Sequence, residues 1–420
     1  VATGSAAPVL PAEAVMQVSG KLGQLHVSEW QPHLTGASPA GSKDSPALPV
    51  RLKLHVEELE VQGYFMDDVS VDMESAGNAW DIRADGPSVS GAVRLINGRA
   101  GLDKVVMNLD RLVLRSNEQP QSGAASKATP ADFPDLAVSA RRLVYGKAKL
   151  GRLELQSLKQ PGNKYLVENM TLSSDLLDMQ LSGSWLIDAG RQLSFIDLQV
   201  NKGKMDRLMK LFGYQKSIED GELSGTLRVS WPGALWDFSP SAAEGILRVK
   251  IEDGQLLDVE PGAAGRVLGL TSLSKLPRRL LLDFSDLYEE GFSFDKIAGS
   301  FTLDGGNAYT NDLYVDGPAA KIEISGRIGL ADQDYDELVT VTPYMKTGLS
   351  LAGTLAAGPA IGAVVIVAET LLEGKLGPLS RIGQKQYSIT GPWDDPVIEK
   401  LGARVEETAP ASSDDFDWAE

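Results

Sequence analysis

RLKLHVEELEVQGYFMDDVSVDM, residues 51–73, decides the fold. Leu52, Leu54 and Val56 alternate with Arg51, Lys53 and His55, and farther along Val69, Val71 and Met73 again share one phase. Period-two alternation means strands with one apolar and one wet face. Helical periodicity is scarce before residue 200, and short alternating runs dominate.

The same rhythm extends outward. LRVSW places Leu227, Val229 and Trp231 on one side, LRVKIEDG places Leu247, Val249 and Ile251, and KIEISG places Ile322 and Ile324. Met107, Leu109, Leu153, Leu155, Met179, Leu181 and Trp185 occupy the apolar phase of other runs. SAGNAW and LDGGNAYTND punctuate the strands as hairpin turns. The order of runs also repeats. LHVEELEVQG, DVSVDM, WDI and SVSG are followed by LAVSARRLVYG, RLELQS, YLV and QLSGSW, at an offset drifting from about 82 to about 92 residues. Segments 33–49 and 117–135 are rich in Pro, Ser, Ala and Gly and read as long surface loops or linkers. The tail 403–420 is acidic and reads as disordered.

Three helices are expected. In 204–213, Met205, Leu208, Met209 and Phe212 form one stripe, and Gly213 is a stop. A second lies at 262–270, before a break at Pro277. The third lies in SLAGTLAAGPAIGAVVIVAETLL, residues 350–372. The uncharged run from Lys346 to Glu369 would reach about 33 Å as one helix, enough to span a bilayer. Pro359 and Gly374, however, bound a helix of about 22 Å over 359–373, which is too short to cross. Ile361, Val364, Val365, Leu371 and Leu372 make its apolar stripe, Ile366 and Val367 lie on the far side, and Leu351 and Leu355 belong to the Gly-rich approach. This segment either plugs the end of a sheet or touches a membrane.

Composition narrows the function. A net charge of -17 over 420 residues argues against nucleic acid, which needs clustered Lys and Arg. The absence of cysteine excludes disulfides and thiolate metal sites. The chain opens VATGSAAPVLPAE, without initiator Met or signal peptide, and reads as a piece of a longer protein whose export signal or anchor lies upstream. His26, His33 and His55 form no catalytic pattern, and neighbouring acidic residues in a strand point to opposite faces. No catalytic residue, metal site or cofactor is expected. One-faced strands can close into a packed sandwich or curl into an open trough, and alternation alone does not choose between them.

The last third bears on that choice. VEPGAAGR, LPRRLLLDFSDL, GFSFDKI, DYDELVTVTP and ITGPWDDP, in this order over residues 220–401, closely resemble the C-terminal region of the AsmA-like family, in the style of its large YhdP branch. Residues 1–200 resemble it only in repeat style. The resemblance implies a mainly β fold: a long curved antiparallel sheet forming an open U-shaped groove, with a few short helices near the C-terminal end. It divides the chain into a repeated groove segment, 1–200, and an AsmA-like C-terminal region, 201–402. It implies a periplasmic body of an inner-membrane-anchored protein that carries phospholipid towards the outer membrane, with no enzymatic activity. The inward residues Leu52 to Ile324 named above would line the groove. The expected partners are phospholipid, the inner leaflet of the outer membrane, and a periplasmic or outer-membrane protein. The competing reading is an envelope scaffold with a packed core and a protein partner.

Overall fold

A computed structural model describes residues 15–27, 49–61, 63–98, 101–115, 128–212, 217–257, 292–344 and 384–401. The helices expected at 262–270 and 359–373, the whole of 350–373 and the tail 403–420 lie outside these residues, as does most of 33–49 and 117–135.

The described residues form nineteen strands in one sheet. The first six are β1 (Met16–His26), β2 (Val50–Val61), β3 (Tyr64–Ala76), β4 (Ala79–Asp85), β5 (Val89–Gly98) and β6 (Gly101–Leu114). Next come β7 (Asp135–Tyr145), β8 (Ala148–Gln160), β9 (Lys164–Ser173), β10 (Leu177–Asp188) and β11 (Arg191–Lys204). A short helix α1 (Met205–Leu211) precedes β12 (Ile218–Pro232) and β13 (Glu244–Leu256). The sheet finishes with β14 (Phe292–Asp304), β15 (Asn307–Asp316), β16 (Ala320–Gly329), β17 (Asp334–Pro343), β18 (Lys385–Pro392) and β19 (Val397–Leu401).

Each strand pairs with its neighbours in sequence, so the sheet is an open meander not closed into a barrel. The sheet is antiparallel throughout with two exceptions. β1–β2 and β6–β7 pair in parallel. Parallel neighbours require a crossover rather than a tight turn. The sequence repeat now has a structural frame: its first copy falls on β2–β5 and its second on β7–β10, each opened by a parallel step.

Elsewhere the turns follow local chemistry. Gly305 and Gly306, with φ of 55° and 78°, form the two-residue link between β14 and β15 expected from LDGGNAYTND. Gly91 in β5 has φ 142°, and a Cβ there would lie 2.7 Å from Leu109 Cα on β6. The pairing register shifts between Ser90 and Gly91. A glycine bulge of this kind brings two backbones close and bends the sheet.

The outer face is polar. Arg51–Glu74 (2.8 Å), Lys53–Asp72 (3.6 Å), Arg228–Asp197 (2.8 Å) and Lys202–Glu222 (2.9 Å) link adjacent strands across it. The best-built pair is near the end of the sheet. Arg327 of β16 forks onto Asp334 of β17 at 2.9 and 2.7 Å, and also reaches Asn307 Oδ1 of β15 at 2.9 Å. The guanidinium holds the Asp334 carboxyl below its usual range, against the opposing effect of partial burial. Such a depressed group stabilises the fold above its unfolded pKa, about 3.9, and that contribution is lost as pH falls through the lower folded value. Asp334→Asn is therefore expected to cost about 1 kcal/mol at neutral pH and almost nothing in acid below both values. Urea midpoints at the two pH values check this.

Helix α1 sits at one rim, between β11 and β12. Met205 and Met209 pack into the apolar cluster of β12–β18, and Leu208 packs into that of β2–β10. Three of the four stripe residues are thus buried. Phe212 caps the helix and is 67% exposed instead, because the helix ends at Leu211 before the stripe is complete.

Candidate functional site

The cross-strand registers place the inward apolar residues in continuous rows that run across the strands, along the length of the sheet. One row begins Leu52, Met73, Ile82, Val93, Met107, Val138 and Leu155. It continues through Met170, Leu181, Leu198, Leu227 and Leu247 to Phe301 on β14. Beside it runs a second: Leu54, Val71, Ala84, Gly91, Leu109, Ala140 and Leu153, then Leu172, Met179, Val200, Gly225, Val249 and Gly299. No charged residue interrupts either row.

Burial differs along the sheet. From Ile82 to Phe301 every member of the first row is only half-buried. An unbroken apolar stripe in this state is unusual for a protein surface, where apolar residues are scattered. From the α1-side ends of β13 and β14 onward the inward face is close-packed. Ile251, Ile297, Val315, Ile322 and Val341 align in register and are buried, as are Leu313, Ile324, Val339 and Tyr387. Ile322 and Ile324 are 4% and 2% exposed, inside this packed region.

Inward residues near the end of β10 and β12 form a lip along the rim opposite α1. Trp185, Ser194 and Trp231 are aligned there and buried. Two segments fold over them: residues 128–134, which lead into β7, and residues 233–243, between β12 and β13. Phe133 packs edge-on against Trp185 at 5.5 Å and Tyr165 at 5.9 Å. Trp236 packs against Trp185 at 5.1 Å and Phe133 at 5.3 Å, and Phe238 against Trp231 at 5.1 Å. Hydrogen bonds fix the arrangement. Trp185 Nε1 donates to Gln192 Oε1 (3.0 Å), Gln192 Nε2 to Ala128 O (3.3 Å), Trp231 Nε1 to Ala234 O (2.9 Å), and Tyr165 OH to Pro134 O (2.8 Å). Burial pushes the Tyr165 hydroxyl pKa up, which keeps it protonated as a donor.

Among the described residues no group of three His, Cys, Asp or Glu could hold a metal ion. Among them, too, no helix is long and apolar enough to cross a membrane. His55 faces Ser70 on the wet side, at 3.3 Å. What the arrangement offers chemically is an apolar surface many strands long, free of charged side chains along both rows; in the packed end one carboxylate, Glu337, is buried on the inward face at 4% exposure.

The model of the YhdP protein family matches residues 1–398. The chain belongs to the YhdP family. Among curated proteins, one relative is the intermembrane phospholipid transporter YhdP of Escherichia coli (strain K12), 22% identical over 400 residues. That alignment covers 94% of this chain and 31% of the relative, so the chain spans about a third of the length of the relative it matches. No solved structure matches.

Within this YhdP-family sheet, the residues singled out from sequence fall into distinct places. Leu52, Met73, Met107, Leu155, Leu181, Leu227 and Leu247 stand on the first row, and Leu54, Val71, Leu109, Leu153, Met179 and Val249 on the second. Val56 and Val69 pair with each other two residues beyond the second row, and Val229 pairs with Ile196. Trp185 and Trp231 belong to the lip, Ile251, Ile322 and Ile324 to the packed end. Leu351, Leu355, Ile361, Val364, Val365, Ile366, Val367, Leu371 and Leu372 lie outside the described residues. Sequence reasoning passed over Ile82, Val93, Val138, Met170, Leu198 and Phe301. Ile82 between Asp81 and Arg83, and Leu198 between Asp197 and Gln199, carry the same alternation signal.

Proposed function

We propose that this chain is a segment of a phospholipid conduit, in which acyl tails lie along the half-buried first row and headgroups stay in water. The observation that carries this is the half-buried row from Ile82 to Phe301, unbroken across β4–β14. An acyl tail in water costs about 0.8 kcal/mol per CH₂, and a continuous apolar stripe removes much of that cost without a tight site for any one lipid. The E. coli relative's name, an intermembrane phospholipid transporter, agrees with this substrate. Nineteen strands at ordinary spacing give a sheet about 86 Å long, suited to bridging rather than to holding one molecule. The setting is the periplasm of a Gram-negative envelope, with an inner-membrane anchor elsewhere in the full protein and delivery to the inner leaflet of the outer membrane. No enzymatic step is involved.

The carrying stretch is β4–β14, and the packed end β15–β18 carries no lipid. A photo-crosslinking amino acid placed in turn at Leu155, Leu198, Ile324 and Val339 tests this in cells. Crosslinked phospholipid is expected at the first two positions and absent at the last two. Absence at all four, together with lipid-free protein after gentle purification and solvent extraction, would favour an envelope scaffold instead.

A further inference from the structure

Resting on the conduit reading, we infer that the aromatic lip over β10 and β12 is a phospholipid-binding site that holds the glycerol-ester boundary of a lipid whose tails lie along the first row. Trp236 and Phe238 are 49% and 48% exposed, although each stacks on a buried tryptophan. The loop holding them is rigidly built. Gly233 N–H donates to Gln192 O (3.0 Å), Ser194 Oγ to Gly233 O (2.8 Å), and Ala234 N–H to Asp237 Oδ2 (2.9 Å). The exposed rings are therefore held out by structure.

Their position gives them a ligand. Trp185 lies four residues along β10 from Leu181, and Trp231 four residues along β12 from Leu227, on the same inward face. The lip is thus the place where the apolar rows give way to water. A lipid changes there too, from acyl chain through ester to headgroup. Tryptophan suits that boundary, with an apolar body and one N–H donor, and is enriched at membrane interfaces for this reason. The indoles of Trp185 and Trp231 spend their N–H on the protein. Trp236 Nε1 meets no acceptor among the described residues, so it can donate to an ester oxygen. The carboxylate of Asp237 caps the loop, which leaves the contact with an uncharged ester group.

The test uses intrinsic fluorescence of the full chain loaded with phosphatidylcholine bearing a nitroxide quencher, near either the carboxyl or the methyl end of one acyl chain. Bound lipid is quantified by extraction in each sample. The difference between wild type and Trp236→Phe isolates Trp236 among the seven tryptophans, and circular dichroism confirms that the variant is folded. The expected result is loss of most Trp236 emission with the label near the carboxyl end and little with the label near the methyl end. Bound lipid with no quenching of Trp236, or equal quenching by both labels, would overturn the lip site while leaving the conduit intact. A protein that takes up no lipid overturns both.

Discussion

Leu227→Glu is expected to reduce carried phospholipid about tenfold or more while the protein stays folded. Leu227 lies mid-row between Leu198 and Leu247 and is half-buried. In the absence of lipid its replacement carboxylate keeps water, so folding tolerates it. A passing acyl tail must strip that water, at a cost of roughly several kcal/mol for each passage. Next to it, Arg228 points outward and pairs with Asp197 at 2.8 Å. Arg228→Gln loses only an exposed ion pair, about 1 kcal/mol at most, and should carry lipid normally. Phospholipid recovered per mole of protein from cells, with a urea melt of each variant, measures both effects. Equal losses at 227 and 228 would mean that the inward face is not the path. The choice of position matters: Val229 and Ile324 are both 2% exposed, so a charge there reports on folding rather than on lipid.

The second large effect is on stability. Gly91→Val is expected to destabilise the sheet by about 3 kcal/mol or more. Its φ of 142° is a region that β-branched residues avoid, and its Cβ would press on the Leu109 backbone. β5 and β6 would have to separate or abandon the bulge that sets their register. Ala92→Val, one residue on and exposed, introduces the same side chain without either problem. A shift in urea midpoint for Gly91→Val with none for Ala92→Val is the expected pattern. Similar midpoints for both would show that the bulge is not required.

Much of this architecture was legible in alternation. Leu52 with Met73, and Leu227 with Leu247, could be put on one face from sequence because side chains in a strand alternate strictly. The turn at Gly305–Gly306 and the buried stripe of α1 were legible for similarly local reasons. The parallel steps at β1–β2 and β6–β7 were not, because strand direction is set by the connection and not by the strand. Nor was the difference between the open rows and the packed end. Ile322 and Ile324 alternate just as Met179 and Leu181 do, and only the packing around them distinguishes the two. The lip was missed for another reason. Phe133 and Trp236 sit in irregular segments, where no periodicity announces which way a ring will turn.

The parallel step at the head of each repeat has a consequence for how such a chain can change length. From β2 to β6 the strands reverse at every turn, and five is an odd number, so β6 runs in the direction of β2. The parallel step then starts β7 in that direction again. The module β2–β6 therefore begins and ends with the same polarity, and it can be excised or duplicated without inverting any strand downstream. Excising residues 50–134 would set Asp135 directly after Pro49 and leave β7 where β2 had been, still parallel to β1. The conduit would be shorter by about 24 Å, five strand spacings. On the conduit reading proposed above, a reach fixed by counting whole modules could be adjusted by duplication or loss alone.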